Sequence, residues 1–251
     1  MSQSPDLRLA WIGPDDDFPD TDQAWTDEMG ANGLLGAGEV LTASLLKRAY
    51  RRGIFPWSGP SEPILWWSPD PRMVLKTQGF KLRRSLSQSI RQAQAGGLTL
   101  RADSAFQSVM RGCAAPRDQD GGTWITPAIE AAYLDLHNMG LAHSIELWDG
   151  HELVGGLYLV SIGKMVFGES MFSSRPNASK ICLAGLVKWL QHHNCPLIDC
   201  QQQTAHLASL GARAIPRAEF ESWLTNLTQE PGPPWVTDPL GWGVLTATND
   251  Q

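Results

Sequence analysis

Residues 152–203 read ELVGGLYLVSIGKMVFGESMFSSRPNASKICLAGLVKWLQHHNCPLIDCQQQ. The β-rich runs ELVGGLYLVS and KMVFGESMF flank a short turn around Ile162 and Gly163, which predicts a β-hairpin. The stretch 179–193 has helical periodicity, and PLIDCQQQ is an apolar run of strand length. Two strands, a helix and a further strand in succession predict a mixed α/β domain rather than a helical bundle or a β-sandwich.

The flanking segments extend this pattern and suggest a domain boundary. Helices are predicted at 41–52 with Thr42 as N-cap, at 84–95, at 126–139 and from Pro216 onward. Five prolines between positions 56 and 71 exclude a long helix there. We therefore expect a small N-terminal domain over 1–70, with an acidic leading segment, and a larger α/β domain over 71–251.

Composition excludes several classes of protein. The 251 residues are 42% hydrophobic and 18% charged, which is ordinary for a globular chain. No apolar run of about 18 residues occurs, so no membrane span is expected, and the first residues lack the features of a signal peptide. The four cysteines form no C-x-x-C pair and no zinc spacing, which predicts reduced thiols in a cytoplasmic protein without a metal site.

The charge distribution is uneven. The chain has a net charge of −6, yet residues 1–31 carry −7 and residues 72–117 carry +8. A basic block in an acidic chain is typical of a polyanion-binding face. The alternative is that residues 81–91 are simply a solvated helix face.

Three polar residues stand out in the two apolar segments. Side-chain alternation places Asp199 and Gln201 on one strand face, and Glu169 and Ser170 on opposite faces. A carboxylate can orient or deprotonate a nucleophile, and an amide can polarise a neighbouring group. The structural alternatives are a hydrogen-bonded pair at a strand end and, for Glu169, a salt bridge to Lys180.

Other candidate residues give weaker signals. Ser170 and Ser173 lie in no G-x-S-x-G elbow, which argues against a serine hydrolase. No P-loop or G-x-G-x-x-G motif follows a predicted strand, so no nucleotide cofactor is expected. His206 has no partner motif. The loop tryptophans Trp57 and Trp124 can wall an apolar pocket or pack the junction between the two domains.

Eight segments, in chain order, resemble leucyl/phenylalanyl-tRNA–protein transferases: GLLGAGEVLTASLLKRAYRRGIFPW, ILWWSPDPR, GTWIT, AHSIELW, ELVGGLYLV, GESMFS, NASK and LIDCQ. The resemblance spans Asn32 to Phe220. It implies a small N-terminal domain packed on a larger domain resembling the acyl-CoA N-acetyltransferase fold. It also implies transfer of Leu, Phe or Met from aminoacyl-tRNA to the N-terminal amine of proteins beginning with Arg or Lys, which marks them for N-end rule degradation.

The resemblance also implies roles for individual residues. We further expect no cofactor or metal, no membrane partner, and a monomer. Asp199 and Gln201 match the pair assigned to the chemical step, and Glu169 matches the glutamate beside them. Thr204 stands where the family often has Asn. The remaining matches are the aminoacyl-pocket positions Trp57, Trp124, Leu157 and Ile198, and the tRNA-contacting base Arg84, with Lys81, Arg83 and Arg91 nearby.

Two rival functions remain open at this point. An acetyl-CoA-dependent N-acetyltransferase would usually carry a [QR]-x-x-G-x-[GA] loop, and none is found. A non-catalytic RNA-binding module would use the basic block alone, and it leaves Asp199, Gln201 and Glu169 without a purpose.

Overall fold

The protein is described by a computed structural model that covers residues 9–115, 123–235 and 240–246. The predicted mixed α/β class is confirmed, because helices pack on two separate sheets. The smaller sheet has four strands: β1 (Ala10–Trp11), β2 (Leu34–Gly38), β3 (Phe55–Pro56) and β4 (Ile64–Trp67). The larger sheet has seven: β5 (Arg72–Lys76), β6 (Thr99–Ala102), β7 (Ala142–Asp149), β8 (Glu152–Ile162), β9 (Met165–Ser173), β10 (Leu197–Gln201) and β11 (Arg213–Ile215).

The helices begin where the sequence places capping residues. The Thr42 hydroxyl accepts from the backbone N–H of Leu45 at 3.1 Å, and Thr126 caps its helix in the same way. The helices are α1 (Ala43–Arg51), α2 (Arg84–Ala95), α3 (Phe106–Ala114), α4 (Pro127–Asn138), α5 (Ala178–His192), α6 (Ala205–Ser209), α7 (Arg217–Leu227) and α8 (Gly243–Thr246).

The larger sheet contains one parallel pair among its described strands. Its strand order is β11-β5-β10-β9-β8-β7-β6, and every neighbouring pair is antiparallel except β9 with β10. The predicted hairpin is confirmed as β8–β9, and α5 connects β9 to β10. This βαβ crossover places the ends of β9 and β10 side by side.

Two hydrophobic cores cover the two faces of the larger sheet. Leu197 and Tyr158 belong to one core, which also contains residues of α1, α3 and α4 and of the smaller sheet. Ile198 and Leu157 belong to the other core, under α2 and α5. The strand alternation expected from the sequence therefore sets which residues face which helices.

The first core crosses the expected domain boundary. The described strands before residue 70 form the smaller sheet, and those from Arg72 on form the larger one. Leu45 and Trp66 nevertheless share a buried cluster with Val109 and Phe220. We propose that the boundary lies between residues 70 and 71 and that the two units on either side of it pack on each other.

The acidic leading segment has some regular structure among its described residues. Strand β1 pairs in parallel with β2, and short 3-10 turns occupy Thr21–Gln23 and Asp27–Met29. Within the described residues, no helix is long and apolar enough to cross a membrane.

Candidate active site at the ends of β9 and β10

The two parallel strands separate after a short pairing. Ile198 pairs with Val166 and Asp199 with Phe167, and the register of β10 and β9 ends there. Each strand is also irregular beyond this point. In β9 the register with β8 shifts around Glu169, and in β10 the register with β5 shifts between Asp199 and Gln201. Such bulges redirect side chains at sites next to a cleft.

A cavity of about 420 Å³ opens where these strands separate, under α5 and beside α6. Its walls are mostly apolar, which is typical of small-molecule sites of this size. Glu169 is the carboxylate in the wall and remains partly accessible. We call this space the apolar cavity; it is lined by Leu157, Tyr158, Gly168, Glu169, Ser170, Met171, Leu183, Leu186, Ile198, Cys200, Thr204, His206 and Leu207.

Asp199 lies behind the cavity in a buried ion pair with Arg72. The Arg72 Nε and Nη2 atoms donate to the two Asp199 oxygens at 2.8 and 2.6 Å, and both side chains are fully buried. Arg72 also donates to the Gly53 carbonyl at 2.9 Å and lies between the rings of Phe55 and Phe220. A bidentate pair with additional hydrogen bonds compensates for the desolvation of both charges.

Gln201 is connected to both carboxylates. Its backbone N–H donates to Asp199 Oδ1 at 2.9 Å, and its φ of 61° lies in the left-handed region. Its side-chain Nε2 donates to Glu169 Oε1 at 3.1 Å. A non-glycine residue in this conformation is uncommon and needs support from its surroundings. Asp199 therefore fixes the Gln201 backbone, and this places the amide against Glu169.

Glu169 is held by two buried tyrosines as well. The Tyr50 hydroxyl donates to Oε1 at 2.6 Å, and the Tyr133 hydroxyl donates to Oε2 at 3.1 Å. The pKa of the Glu169 carboxyl is raised to about 7. Burial is the main cause of the rise and the nearby Asp199 charge adds to it, while the hydrogen bonds from Tyr50, Gln201 and Tyr133 partly offset it. The carboxyl is thus poised between its protonated and ionised forms near neutral pH.

Comparison with known proteins identifies the family of the chain. Residues 74–225 match the family model for leucyl/phenylalanyl-tRNA protein transferase, and residues 39–70 match the model for its N-terminal domain. The chain belongs to this family. The predicted resemblance is therefore confirmed, and it extends over both units of the fold.

Curated relatives cover nearly the whole chain. A leucyl/phenylalanyl-tRNA–protein transferase of Albidiferax ferrireducens is 51% identical over 98% of this chain and 97% of its own. One from Bordetella avium is 50% identical over 91% of this chain and 93% of its own. Among solved structures, FemX is 14% identical, with coverage of 68% of this chain and 66% of that chain and a TM-score of 0.42.

The structure brings some of the expected pocket residues of the transferase family together. Leu157 and Ile198 line the apolar cavity. Trp57 and Trp124 are not among its lining residues. Trp57 is 44% exposed and packs edge-on against Trp67 of the smaller sheet, and Trp124 packs against the core that joins the two sheets.

The basic block separates into buried, paired and free residues. Arg72 is buried with Asp199, and the chain around Arg117 lies outside the described residues. Lys76 and Arg111 are paired with acidic side chains. The four bases expected to meet tRNA are all exposed, and none forms a salt bridge within the described parts of the chain: Lys81, Arg83, Arg84 and Arg91.

Two structural expectations from the sequence are wrong. Glu169 is not bound to Lys180, whose amine instead lies 3.5 Å from the Asn177 side-chain oxygen. Glu169 and Ser170 do not lie on opposite faces, because both line the apolar cavity. The reason is the bulge at this point of β9, which interrupts the two-residue alternation.

Sequence reasoning missed three supporting residues, Arg72, Tyr50 and Tyr133. Arg72 ends the string WWSPDPR and lies in the basic block, and neither feature predicts a buried ion pair with Asp199. Tyr50 fits the helical spacing of the apolar residues of α1. This spacing predicts a core position and gives no sign of a hydrogen bond to Glu169. Thr204 is accounted for by its hydroxyl, which accepts from the Leu207 N–H at 3.2 Å and caps α6 as an Asn side chain would.

The described residues offer no metal site. In the ranges 9–115, 123–235 and 240–246, no group of three or more His, Cys, Asp or Glu side chains is placed to hold a metal ion. The site combines carboxyl and amide groups, tyrosine hydroxyls and apolar walls.

Proposed function

We propose that this protein transfers Leu, Phe or Met from aminoacyl-tRNA to the N-terminal α-amine of proteins that begin with Arg or Lys. The observation that carries the proposal is the apolar cavity, which has Glu169 in its wall and Gln201 hydrogen-bonded to the Glu169 carboxylate. Such a site suits a large apolar side chain and an acyl-transfer centre at its opening. Membership of the family supports the same activity.

The cavity accounts for the proposed choice of amino acid. Leu157, Leu183, Leu186 and Ile198 provide apolar contacts without a hydrogen-bonding group that would select one side chain. One methylene in such a pocket changes discrimination by only about 1–3 kcal/mol. Tolerance among Leu, Phe and Met is therefore expected, with exclusion of small and charged side chains.

Positioning supplies most of the proposed rate enhancement. The substrate is an activated ester, and correct placement of two reactants contributes roughly 7–11 kcal/mol in favourable cases. We assign Gln201 to steadying the attacking amine or the tetrahedral centre. Glu169, ionised in part near neutral pH, is suited to attract the cationic acceptor.

Asp199 has a positioning role in this proposal. Its carboxylate is fully buried and does not line the cavity, and its hydrogen bonds within the described residues go to Arg72 and the Gln201 backbone. It is therefore not suited to accept a proton from substrate or to bind the acceptor side chain directly. Its effect on the reaction passes through Gln201.

The exposed bases at the start of α2 support binding of tRNA. Arg83 is the N-cap residue and Arg84 the first residue of this helix. Cations at a helix N-terminus are unfavourable for the helix dipole, whereas a phosphate there is favourable. With Lys81 and Arg91 nearby, we propose that this surface binds tRNA phosphates. Trp57 and Trp124 remain proposed contacts of the aminoacyl end, which would extend beyond the cavity to reach them.

We further propose that the protein acts as a monomer in the cytoplasm. One chain supplies the cavity walls, Glu169, Gln201 and both tyrosines. None of the four cysteines, all within the described residues, forms a disulfide, which suits a reducing compartment.

The direct test is transfer of labelled Leu from Leu-tRNA to a protein with N-terminal Arg or Lys. The same protein with N-terminal Gly is the matched control and should stay unlabelled. Labelled acetyl-CoA tests the rival acetyltransferase. Absence of Leu transfer, or acetylation of the same acceptors, would contradict the proposal.

A further inference from the structure

A second concavity adjoins the apolar cavity and shares two residues with it. It has a volume of about 690 Å³ and is lined by Gly112, Ala115, Met171, Phe172, Ser173, Ser174, Ser179 and His206. We call it the serine cleft. Met171 and His206 line both spaces, so His206 stands where the two meet.

The chemistry of the serine cleft suits a peptide rather than RNA. Its polar lining consists of hydroxyl groups and one imidazole, and its described lining contains no Lys or Arg to neutralise a phosphate. Ser173 donates to the Ser179 hydroxyl at 2.9 Å and accepts from the Ser179 N–H at 2.9 Å, which leaves the Ser179 hydroxyl proton free to reach outward. Neutral hydroxyls of this kind pair with peptide N–H and C=O groups.

We propose that the serine cleft receives the N-terminal residues of the acceptor protein and that His206 takes the proton from the acceptor α-amine. This inference rests on the proposed function, because it requires an aminoacyl side chain in the apolar cavity. With that side chain in place, the ester carbonyl lies at the cavity opening. The amine must then arrive from an adjoining space that shares a wall with the cavity.

The His206 side chain is suited to this role. It is exposed on α6, and no described residue forms a hydrogen bond to its ring nitrogens. Partial burial, followed by the positive charge of Lys180 on α5, lowers the pKa of the imidazole, so the neutral base prevails at neutral pH. The other titratable groups in the described lining of the apolar cavity are Tyr158 of β8, Glu169 of β9 and Cys200 of β10.

The proposed step balances in atoms and charge. A lone pair of the His206 imidazole takes one proton from the acceptor α-ammonium, which has an ordinary pKa of about 7.7–8.0. The free amine forms a C–N bond to the ester carbonyl carbon. The bond from that carbon to the tRNA 3′ oxygen breaks, the oxygen leaves with the electron pair, and it receives the second amine proton. The imidazolium releases its proton to water.

The first experiment tests the occupant of the cleft by filling it. Ser173→Trp is expected to raise KM for an Arg-initiated peptide about tenfold, equivalent to about 1.4 kcal/mol, with KM for Leu-tRNA unchanged. Ser222→Trp, on the exposed face of α7, is the matched control. Ser179→Ala is a milder variant for the case in which Ser173→Trp fails to fold. A rise in KM for Leu-tRNA, or no change in either KM, would overturn the assignment.

The second experiment tests proton transfer at His206. In single turnover at pH 7, His206→Ala is expected to lower the rate about 10²-fold, because general-base catalysis contributes at least this much. Added imidazole should restore part of the rate, and the deficit should narrow at pH 9, where the amine is already free. A deficit that is equal at every pH and insensitive to imidazole would reduce His206 to a structural role. Absence of transfer by the wild type would instead contradict the proposed function.

Discussion

The buried pair of Arg72 and Asp199 allows stability and catalysis to be separated by mutation. Arg72→Met removes the partner of a fully buried carboxylate, and Asp199→Leu removes the partner of a fully buried guanidinium. Removing one member of such a pair costs about 3–5 kcal/mol, because the other charge stays desolvated and unpaired. Each single variant should therefore lose about that much free energy of unfolding.

The double variant should recover part of this loss. Apolar residues of similar volume can replace a buried ion pair at little cost. The remaining cost is the Gln201 N–H, which loses its acceptor Asp199 Oδ1, and the Gly53 carbonyl, which loses its donor. An unsatisfied buried polar group costs about 1–3 kcal/mol. The double variant should thus be more stable than either single one, yet transfer Leu slowly, because Gln201 has lost its anchor.

Urea unfolding of the wild type, both single variants and the double variant measures this cycle, and single-turnover transfer is measured on the same samples. Lys76→Met breaks the exposed ion pair with Glu219 and is the matched control. Its free energy of unfolding should fall by no more than about 1 kcal/mol. Two results would refute the reasoning. One is a single variant whose free energy of unfolding lies within about 1 kcal/mol of the wild-type value. The other is a double variant that transfers Leu at the wild-type rate.

Three further predictions concern the site and its surface. Tyr133→Phe removes a hydrogen bond that favours the ionised form of Glu169, so the pKa of Glu169 should rise above about 7. The acidic limb of the pH profile of kcat/KM should then move to higher pH. An unmoved profile would exclude Glu169 as the titrating group. Leu157→Phe adds volume to the cavity wall, so it should lower kcat/KM for Phe-tRNA more than kcat/KM for Leu-tRNA. A competition assay with both substrates measures this difference. An equal decrease in kcat/KM for both substrates would count against the cavity as the aminoacyl site. Arg84→Glu and Arg91→Glu should each weaken tRNA binding, with the slope of log K against log salt reduced in magnitude by about 1 for each lost phosphate contact; an unchanged slope would exclude these contacts.

Local signals in the sequence were sufficient to predict most of the helices and strands. The helix predicted at 84–95 occupies Arg84–Ala95, and the Gly96–Gly97 pair follows it. Thr42 and Thr126 marked helix starts because capping depends on residues only three positions apart. The short strands Thr99–Ala102 and Arg213–Ile215 were not predicted, because a few residues at a sheet edge carry little periodic signal.

The site was harder to predict, because its supports come from distant parts of the chain. Arg72 and Asp199 are 127 positions apart, and no local pattern connects them. The bulge in β9 reverses the face expected for side chains beyond Glu169, and alternation alone cannot anticipate an inserted residue. Family resemblance selected Asp199, Gln201 and Glu169, but it gave no indication that Asp199 would be sealed off from the cavity.

Tyr50 belongs to α1 of the N-terminal unit, yet it donates to the carboxylate in the wall of the apolar cavity. A local opening that lifts α1 away would withdraw this hydroxyl while the larger sheet stayed folded. Such sub-global openings cost less free energy than complete unfolding. The ionisation of a carboxyl in the larger sheet therefore depends on a hydroxyl that the N-terminal unit supplies, so the two units share one acid–base centre.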